Sequence, residues 1–308
     1  MATNSYSNLK STSTGWNSTL RNFGVVTVMD AKVYDVYNGM TMGEYAALVK
    51  GNSGTLSQEV LEILYSIDEN FVTATVEQEE TVYVLNTSAK IDFSKLKVNE
   101  IVALYLLTNP IATLKYLKTA NTTQDGPTKT ITGGKHNSTL VKYGKTSRLE
   151  MTDALGNAEA LEALTGMTVE YFRTTYATTE AELLTGATDV LHSTAQFAGH
   201  KTIVGDTFFI DSKTGQKVNA YIIFYDFLSD SLVSLTQDAE GDATVFDMNG
   251  DLNETDVLVG DLYKKDNGQT VLGGDADGVV TGLFYSILPL LDYETDPQII
   301  QDNIPDSE

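Results

Sequence analysis

From residue 140 onward the chain repeatedly sets short runs of β-branched and aromatic residues between Gly, Asp and Asn, and this rhythm restricts the fold more than any other feature. The run AYIIFYDFL at 220–228 is the densest of them. Val, Ile, Tyr and Phe suit the pleated, half-buried surface of a sheet, so short runs of them bounded by turn residues read as strands. Leu140–Met151 and Met167–Tyr176 are two such runs. Three more lie within 187–236, parted by Gly199, Gly205-Asp206 and Thr214-Gly215, and others fall at 256–263 and 279–291. Near the other end, VVTVMDAKVYDV at Val25–Val36 is equally strand-like.

Helical spacing is confined to short stretches. Tyr45, Leu48 and Val49 share one face of a helix over 41–50. Leu56, Val60, Ile63, Leu64 and Ile67 share a face over 56–67, which Thr55 and Gln58 would open as a capping box. A hairpin is predicted from 71–77 and 81–86 around the turn Gln78-Glu79-Glu80. The stretch 98–118 fits either a buried strand or a helix, broken at Asn109-Pro110. A polar segment, 119–139, is punctuated by Gly126-Pro127 and Gly133-Gly134 and reads as a long loop reaching a neighbouring molecule. Asn157 is placed to cap a helix whose face is Ala158, Leu161 and Leu164 and which ends at a left-handed Gly166; Thr179–Glu182 begins a short helix ending at Gly186.

Composition narrows the function. The chain has 308 residues, 42% of them hydrophobic, enough for a normal core. Acids number 42 against 20 Lys and Arg, a net charge of −22, and the segment 238–308 alone carries 15 of those charges. Phosphate-backbone binding and polybasic membrane attachment both need clustered cations and are disfavoured. With only 20% of residues charged and 9% aromatic, the chain is not a disordered acidic tail. It has no Cys, so a disulfide scaffold, a thiolate nucleophile, an iron–sulfur cluster and a Cys-ligated zinc are excluded. No apolar signal core stands in the first twenty residues, and the longest apolar run, Ile101–Leu107, is far short of the roughly 20 residues that span a bilayer. The expectation is a soluble, acidic protein made and kept inside a cell, with no membrane partner.

Motifs of known chemistry are incomplete. His136, His192 and His200 have only Asp189 as a nearby carboxylate, too little for a zinc site. Asp247-x-Asn249-x-Asp251 starts like a calcium loop but has Leu252 where Gly is needed and Leu258 where Glu is needed; Asp275-Ala276-Asp277-Gly278 is equally incomplete. These acids read as turns and solvated strand faces. Gly144-Lys145-Thr146 imitates the end of a phosphate loop, but Thr139 stands at the required Gly and a strand follows. The sequons at Asn17, Asn86, Asn121, Asn137 and Asn253 read as chance products of a Thr- and Asn-rich composition. No catalytic, cofactor-binding or metal-binding residue is assigned, and the chain is not read as an enzyme.

Three segments carry a resemblance: LEMTDALGNAEALEALTG (149–166), FAGHKTIVGDTFFIDSKTGQKVNAYIIF (197–224) and LTQDAEGDATVFDM (235–248). In that order they resemble the tail tube (major tail) proteins of long-tailed bacteriophages of Gram-positive hosts, and FGVVTVMDAKVYDV (23–36) is similar to the opening strand of that pattern. The resemblance covers about 129–250. It departs from the family at Ala243, where Pro is usual after Gly241-Asp242, in apparent insertions at 37–70 and 87–128, and in the acidic extension after 250.

The resemblance implies a β-rich α+β fold: a β-sandwich or barrel over 23–250 with a flanking α-helix, a flexible arm at 1–22, an acidic β extension at 251–291 and an acidic tail at 292–308. It implies a virion structural protein, assembled in the host cytoplasm, whose copies join into stacked hexameric rings and meet other tail proteins. Genomic DNA would slide through the bore without specific binding, because an acidic wall repels a duplex within a Debye length of about 8 Å. The arm 1–22 and the segment 119–139 would cross to neighbouring copies. Another virion structural protein, or a tube subunit of a bacterial contractile injection system, is the alternative.

Overall fold

The computed structural model describes residues 23–52, 54–77, 80–115, 117–126, 128–133, 137–142, 144–153, 158–166, 168–170, 190–192, 196–211, 217–230, 246–258 and 279–290. The arm 1–22, the cap Asn157, the helix expected at 179–186, Ala243 and the tail 292–308 lie outside these residues.

Eight strands form one antiparallel sheet. Its order is β4 (Ala112–Leu114), β1 (Phe23–Asp35), β11 (Lys201–Asp211), β12 (Lys217–Ser229), β13 (Phe246–Leu252), β8 (Thr146–Asp153) and β5 (Leu117–Asp125). An eighth strand, β16 (Tyr285–Pro289), pairs with β12 over Ala220–Phe224, and β13 takes the same side of β12 over Phe227–Ser229. The chain is thus strand-rich with few helices, a β-rich α+β protein.

The changeover on β12 coincides with a bulge. Lys201 and Ile203 of β11 face Phe227 and Phe224, so β12 carries one residue more than its partner between these pairs. An extra residue shifts the alternation of a strand by one. Phe224 and Phe227, three apart, therefore bury into the same core.

That core also holds Ala31 and Val33 of β1, Ile203, Leu149 and Met151 of β8, Met248 and Leu252 of β13, and Ala160, Ala163 and Leu164 of the helix Ala158–Thr165. Gly166 ends this helix at φ +70°, as its position predicts. The sheet curls until β5 lies near β1, so this face is the inside. The stretch 112–125 spans the two ends of the sheet: β4 pairs with β1, and β5 pairs with β8.

The opposite face, with Tyr34, Val204, Ile223, Tyr225 and Leu288, is covered by a helical unit. That unit comprises α1 (Met42–Leu48), α2 (Gln58–Ile67), the hairpin β2 (Val72–Glu77) and β3 (Glu80–Leu85), a 3₁₀ turn (Phe93–Lys95) and α3 (Val98–Leu107); the helix Ala158–Thr165 is α4. The capping box sits at Thr41–Glu44, on α1, and not at Thr55–Gln58. Helix α2 starts after Ser57, whose hydroxyl accepts from the Val60 N–H at 3.4 Å. Its buried face is Leu61 and Leu64, with Leu56, Val60 and Ile67 packed on the core beside them as expected; of the expected face only Ile63 is exposed.

Tyrosines join helical unit and sheet. Tyr37 and Tyr105 stack with centroids 4.3 Å apart, and Tyr34 packs against Tyr105 at 5.1 Å. Thr202 Oγ1 donates its single hydroxyl proton to the Tyr225 carbonyl at 2.7 Å. The Tyr105 hydroxyl, 2.8 Å from Thr202 Oγ1, must therefore donate to it, while accepting from the Tyr37 N–H at 3.1 Å.

The segment expected as a long loop, 119–139, is corrected: it contains most of β5, all of β6 (Thr128–Gly133) and the start of β7 (Asn137–Lys142), with β6 and β7 paired in a hairpin. Its polarity disguised strands that pair in ladders, β5 with β8 along one side and β6 with β7. Likewise Leu140–Met151 is two strands, parted near Gly144-Lys145. Two further pairs complete the fold: β9 (Thr168–Glu170) with β10 (Val190–His192), and β14 (Thr255–Leu258) with β15 (Val279–Leu283).

Candidate functional site

Strands β8 and β13 alternate, inward apolar or small and outward polar, as expected where one sheet face meets water. Leu149 and Met151 on β8, and Met248 and Leu252 on β13, point into the core. The residues between them form an outward acidic face. Asp247 lies opposite Thr152, Asn249 opposite Glu150 and Asp251 opposite Arg148, while on β5 Asn121 and Thr123 continue the rows. The Thr152 hydroxyl donates to Asp247 at 2.9 Å. The only cation of these rows among the described residues, Arg148, is engaged: its guanidinium binds Asp230 through both terminal nitrogens and Asp251 at 3.2 Å. The hydrogen bonds to Asp230 are the first cause holding its pKa above the ordinary value.

Asp247, Asn249 and Asp251 therefore sit on the solvated face of a strand and do not form a calcium loop. Thr146, after Gly144-Lys145, opens β8, so the phosphate-loop imitation is followed by a strand. His192 lies in β10 opposite Thr168. His200 Nδ1 is 2.7 Å from Asp226 Oδ1 and 3.3 Å from Asn253 Nδ2. His136, Asp189 and Asp275–Asp277 lie outside the described residues. No group of three or more His, Asp or Glu side chains is placed to hold a metal among the described residues. No helix among them is long and apolar enough to cross a membrane.

A second surface feature is the seam of the curled sheet. β4 pairs with β1 only over Ala31–Val33, and β5 pairs with β8 along its other side. Phe23–Asp30 of β1 and the outer side of β5 thus present strand edges without a ladder partner among the described residues. Edges of this length template pairing with another chain unless blocked. The hairpin β2–β3 shows such a block. The Gln58 side chain donates to the Tyr83 carbonyl at 3.1 Å and accepts from the Tyr83 N–H at 2.9 Å, occupying the outer side of β3 as a neighbouring strand would.

One half-buried carboxylate stands apart. Asp206 on β11 is 3.8 Å from Lys32, and burial raises its pKa against the lowering pull of that lysine. β8 falls within the run read as a strand at Leu140–Met151, whereas β13 was not predicted, and that the two would lie side by side could not be read from the sequence. No protein-family model and no curated protein matches the chain.

Proposed function

We propose that this protein is a tail tube subunit of a long-tailed bacteriophage, or of a related tubular assembly, and that it works as a self-associating building block. The observation that carries the reading is the pairing of a large curled antiparallel sheet, whose seam edges have no ladder partner among the described residues, with an acidic outward face on β5, β8 and β13. The edges of the seam are completed by copies of the chain around a ring. The acidic face lines the bore, where Glu150, Asp247 and Asp251 repel DNA and leave a hydrated layer along which the genome slides. The segment resemblance supports the same reading, as does the incompleteness of every catalytic motif sought. On this reading the subunit belongs to the virion tail, is assembled in the host cytoplasm and meets other tail proteins at the ends of the tube.

The test is negative-stain microscopy of the purified protein over a range of concentration. Rings or tubes with a central hole are the expected result. A monomer at millimolar concentration refutes the proposal, and a bore lined by Lys and Arg refutes the assignment of its wall. A contractile injection tube would give the same rings, and neighbouring genes separate the two.

A further inference from the structure

The hairpin β2–β3 is blocked along one edge and open along the other. Its register runs unbroken from Val72↔Leu85 to Glu77↔Glu80. In an antiparallel pair, residues that exchange hydrogen bonds alternate with residues whose N–H and C=O point away from the partner strand. The Asn86 N–H donates to the Phe71 carbonyl at 2.9 Å, which places the bonded pairs at Thr73↔Val84 and Thr75↔Val82. Gln58 gives the same phase from the other side, because it takes both backbone groups of Tyr83, the residue opposite Ala74. The N–H and C=O groups of Ala74 and Val76 therefore point outward from β2.

Among the described residues no strand pairs with that side of β2. Thr73, Ala74, Thr75 and Val76 are all exposed, Val76 to 76%. Val72, buried at the base of the hairpin, ends the open stretch. Sheet edges are commonly protected by a lysine, a proline or a bulge. Thr73–Val76 carries no charge and no proline, and its register has no shift. An open ladder of this kind selects an extended backbone as its partner.

A second copy of the chain fits that requirement. At a net charge of −22 two copies repel on approach, and an uncharged edge is where they can meet. Set antiparallel about Thr75, two β2 strands bring Thr75 opposite Thr75, Ala74 opposite Val76 and Thr73 opposite Glu77. Ala74 and Val76, whose backbone groups point outward, then form the hydrogen-bonded pairs, and Thr75 meets its own copy in the closer, non-bonded position. This register sets no acid opposite an acid, and Thr beside Thr is a favourable cross-strand pair. A register centred on Ala74 would instead need the edge at Val72, which is buried.

We propose that β2 of one copy pairs with β2 of a second, antiparallel about Thr75, joining the two hairpins into one continuous sheet. The contact is isologous, the same edge serving on both sides of a two-fold axis. It uses none of the strands of the seam and does not depend on ring formation.

Because the chain has no Cys, cross-linking reads the pairing directly. Thr75→Cys sets two thiols across a non-hydrogen-bonded pair, with Cα atoms about 4.5 Å apart, within the span of a disulfide. Thr73→Cys, also exposed, is the control, since its position faces Glu77 of the other copy. Under mild oxidation of the full chain, Thr75→Cys is expected to give the linked dimer about tenfold faster or more than Thr73→Cys, because pairing turns a chance encounter into a held geometry. Adding Ala74→Pro removes an outward N–H and none of the bonds between β2 and β3. The rate is then expected to fall to that of the control while circular dichroism stays unchanged, and Val76→Pro, at the other outward N–H, is expected to act alike. Thr75→Cys linking no faster than Thr73→Cys overturns the contact, as does a fast rate that survives both prolines in folded protein. The readouts are separate: rings in negative stain with no Thr75 cross-link overturn this contact alone, and a cross-link with no rings supports it while overturning the tube reading.

Discussion

Two tyrosines packed against each other, Tyr34 and Tyr105, give the sharpest test of the buried polar network. Tyr105 is fully buried and its hydroxyl is used twice, donating to Thr202 Oγ1 and accepting from the Tyr37 N–H. Tyr34 is equally buried, but its hydroxyl has no hydrogen-bond partner among the described residues. Changing Tyr105 to Phe keeps the ring and its stacking on Tyr37 and removes one oxygen. The Tyr37 N–H is then buried without an acceptor, which costs about 1–3 kcal/mol, and a further bond worth about 1 kcal/mol is lost at Thr202. The sum, about 2–4 kcal/mol, corresponds to a Tm lower by roughly 3–6 °C for a chain of this size. Tyr34→Phe removes an oxygen that was desolvated for nothing, so its expected effect lies between neutral and mildly stabilising. Urea denaturation and a thermal scan of the two variants, measured on the unassembled protein, decide the matter. If Tyr105→Phe costs under 1 kcal/mol, or Tyr34→Phe costs as much as its neighbour, the hydrogen-bond account of this core is wrong.

Gly250 on β13 lies beneath the Phe227 ring. A Cβ there would come within 2.7 Å of the ring and into the Leu228 carbonyl, so Gly250→Ala is expected to cost about 1–3 kcal/mol by overpacking, read in the same denaturation assay. Alkaline pH attacks the tyrosine core: burial raises the Tyr37 phenol to about 12 and raises those of Tyr34, Tyr45 and Tyr105 as well. Unfolded phenols ionise near pH 10 while the folded ones stay protonated, so the unfolded state binds fewer protons and stability falls as pH rises from about 10 towards 12. Phenolate absorbance should then rise in two stages, the second coincident with unfolding by circular dichroism; one smooth titration of all 16 tyrosines would contradict this.

Local pattern carried the sequence reading as far as period and turn chemistry reach. Helices α1 and α2 and the β2–β3 hairpin were legible because each has an apolar side and a wet side, and the β12 run because it is buried on both faces and so is a continuous stretch of β-branched and aromatic residues. α3 was not decidable, since Ile101, Val102, Leu104 and Tyr105 are all buried and a segment covered on several sides shows no period. The segment 119–139 failed for the opposite reason. Asn121, Thr123 and Gln124 on β5 are exposed and Thr is common throughout, so polarity hid strands whose ladder lies in partners far along the chain. The acidic outward face was only partly visible: β8 lies within the run read as a strand, but β13 was not anticipated, and their adjacency joins residues about a hundred apart. The seam was invisible for the same reason, being a property of strand order.

The extra residue in β12 has a consequence for length variation. Upstream of it the even-numbered positions Ile222 and Phe224 face the interior, and downstream the odd-numbered Phe227 does. Deleting one residue at Tyr225 or Asp226 would remove the bulge and restore strict alternation with Phe227 still facing the interior. A one-residue gap elsewhere in the strand would have no extra residue to absorb it and would act as a phase error for everything beyond it, so the strand accommodates a change in count at this one place and not at its neighbours.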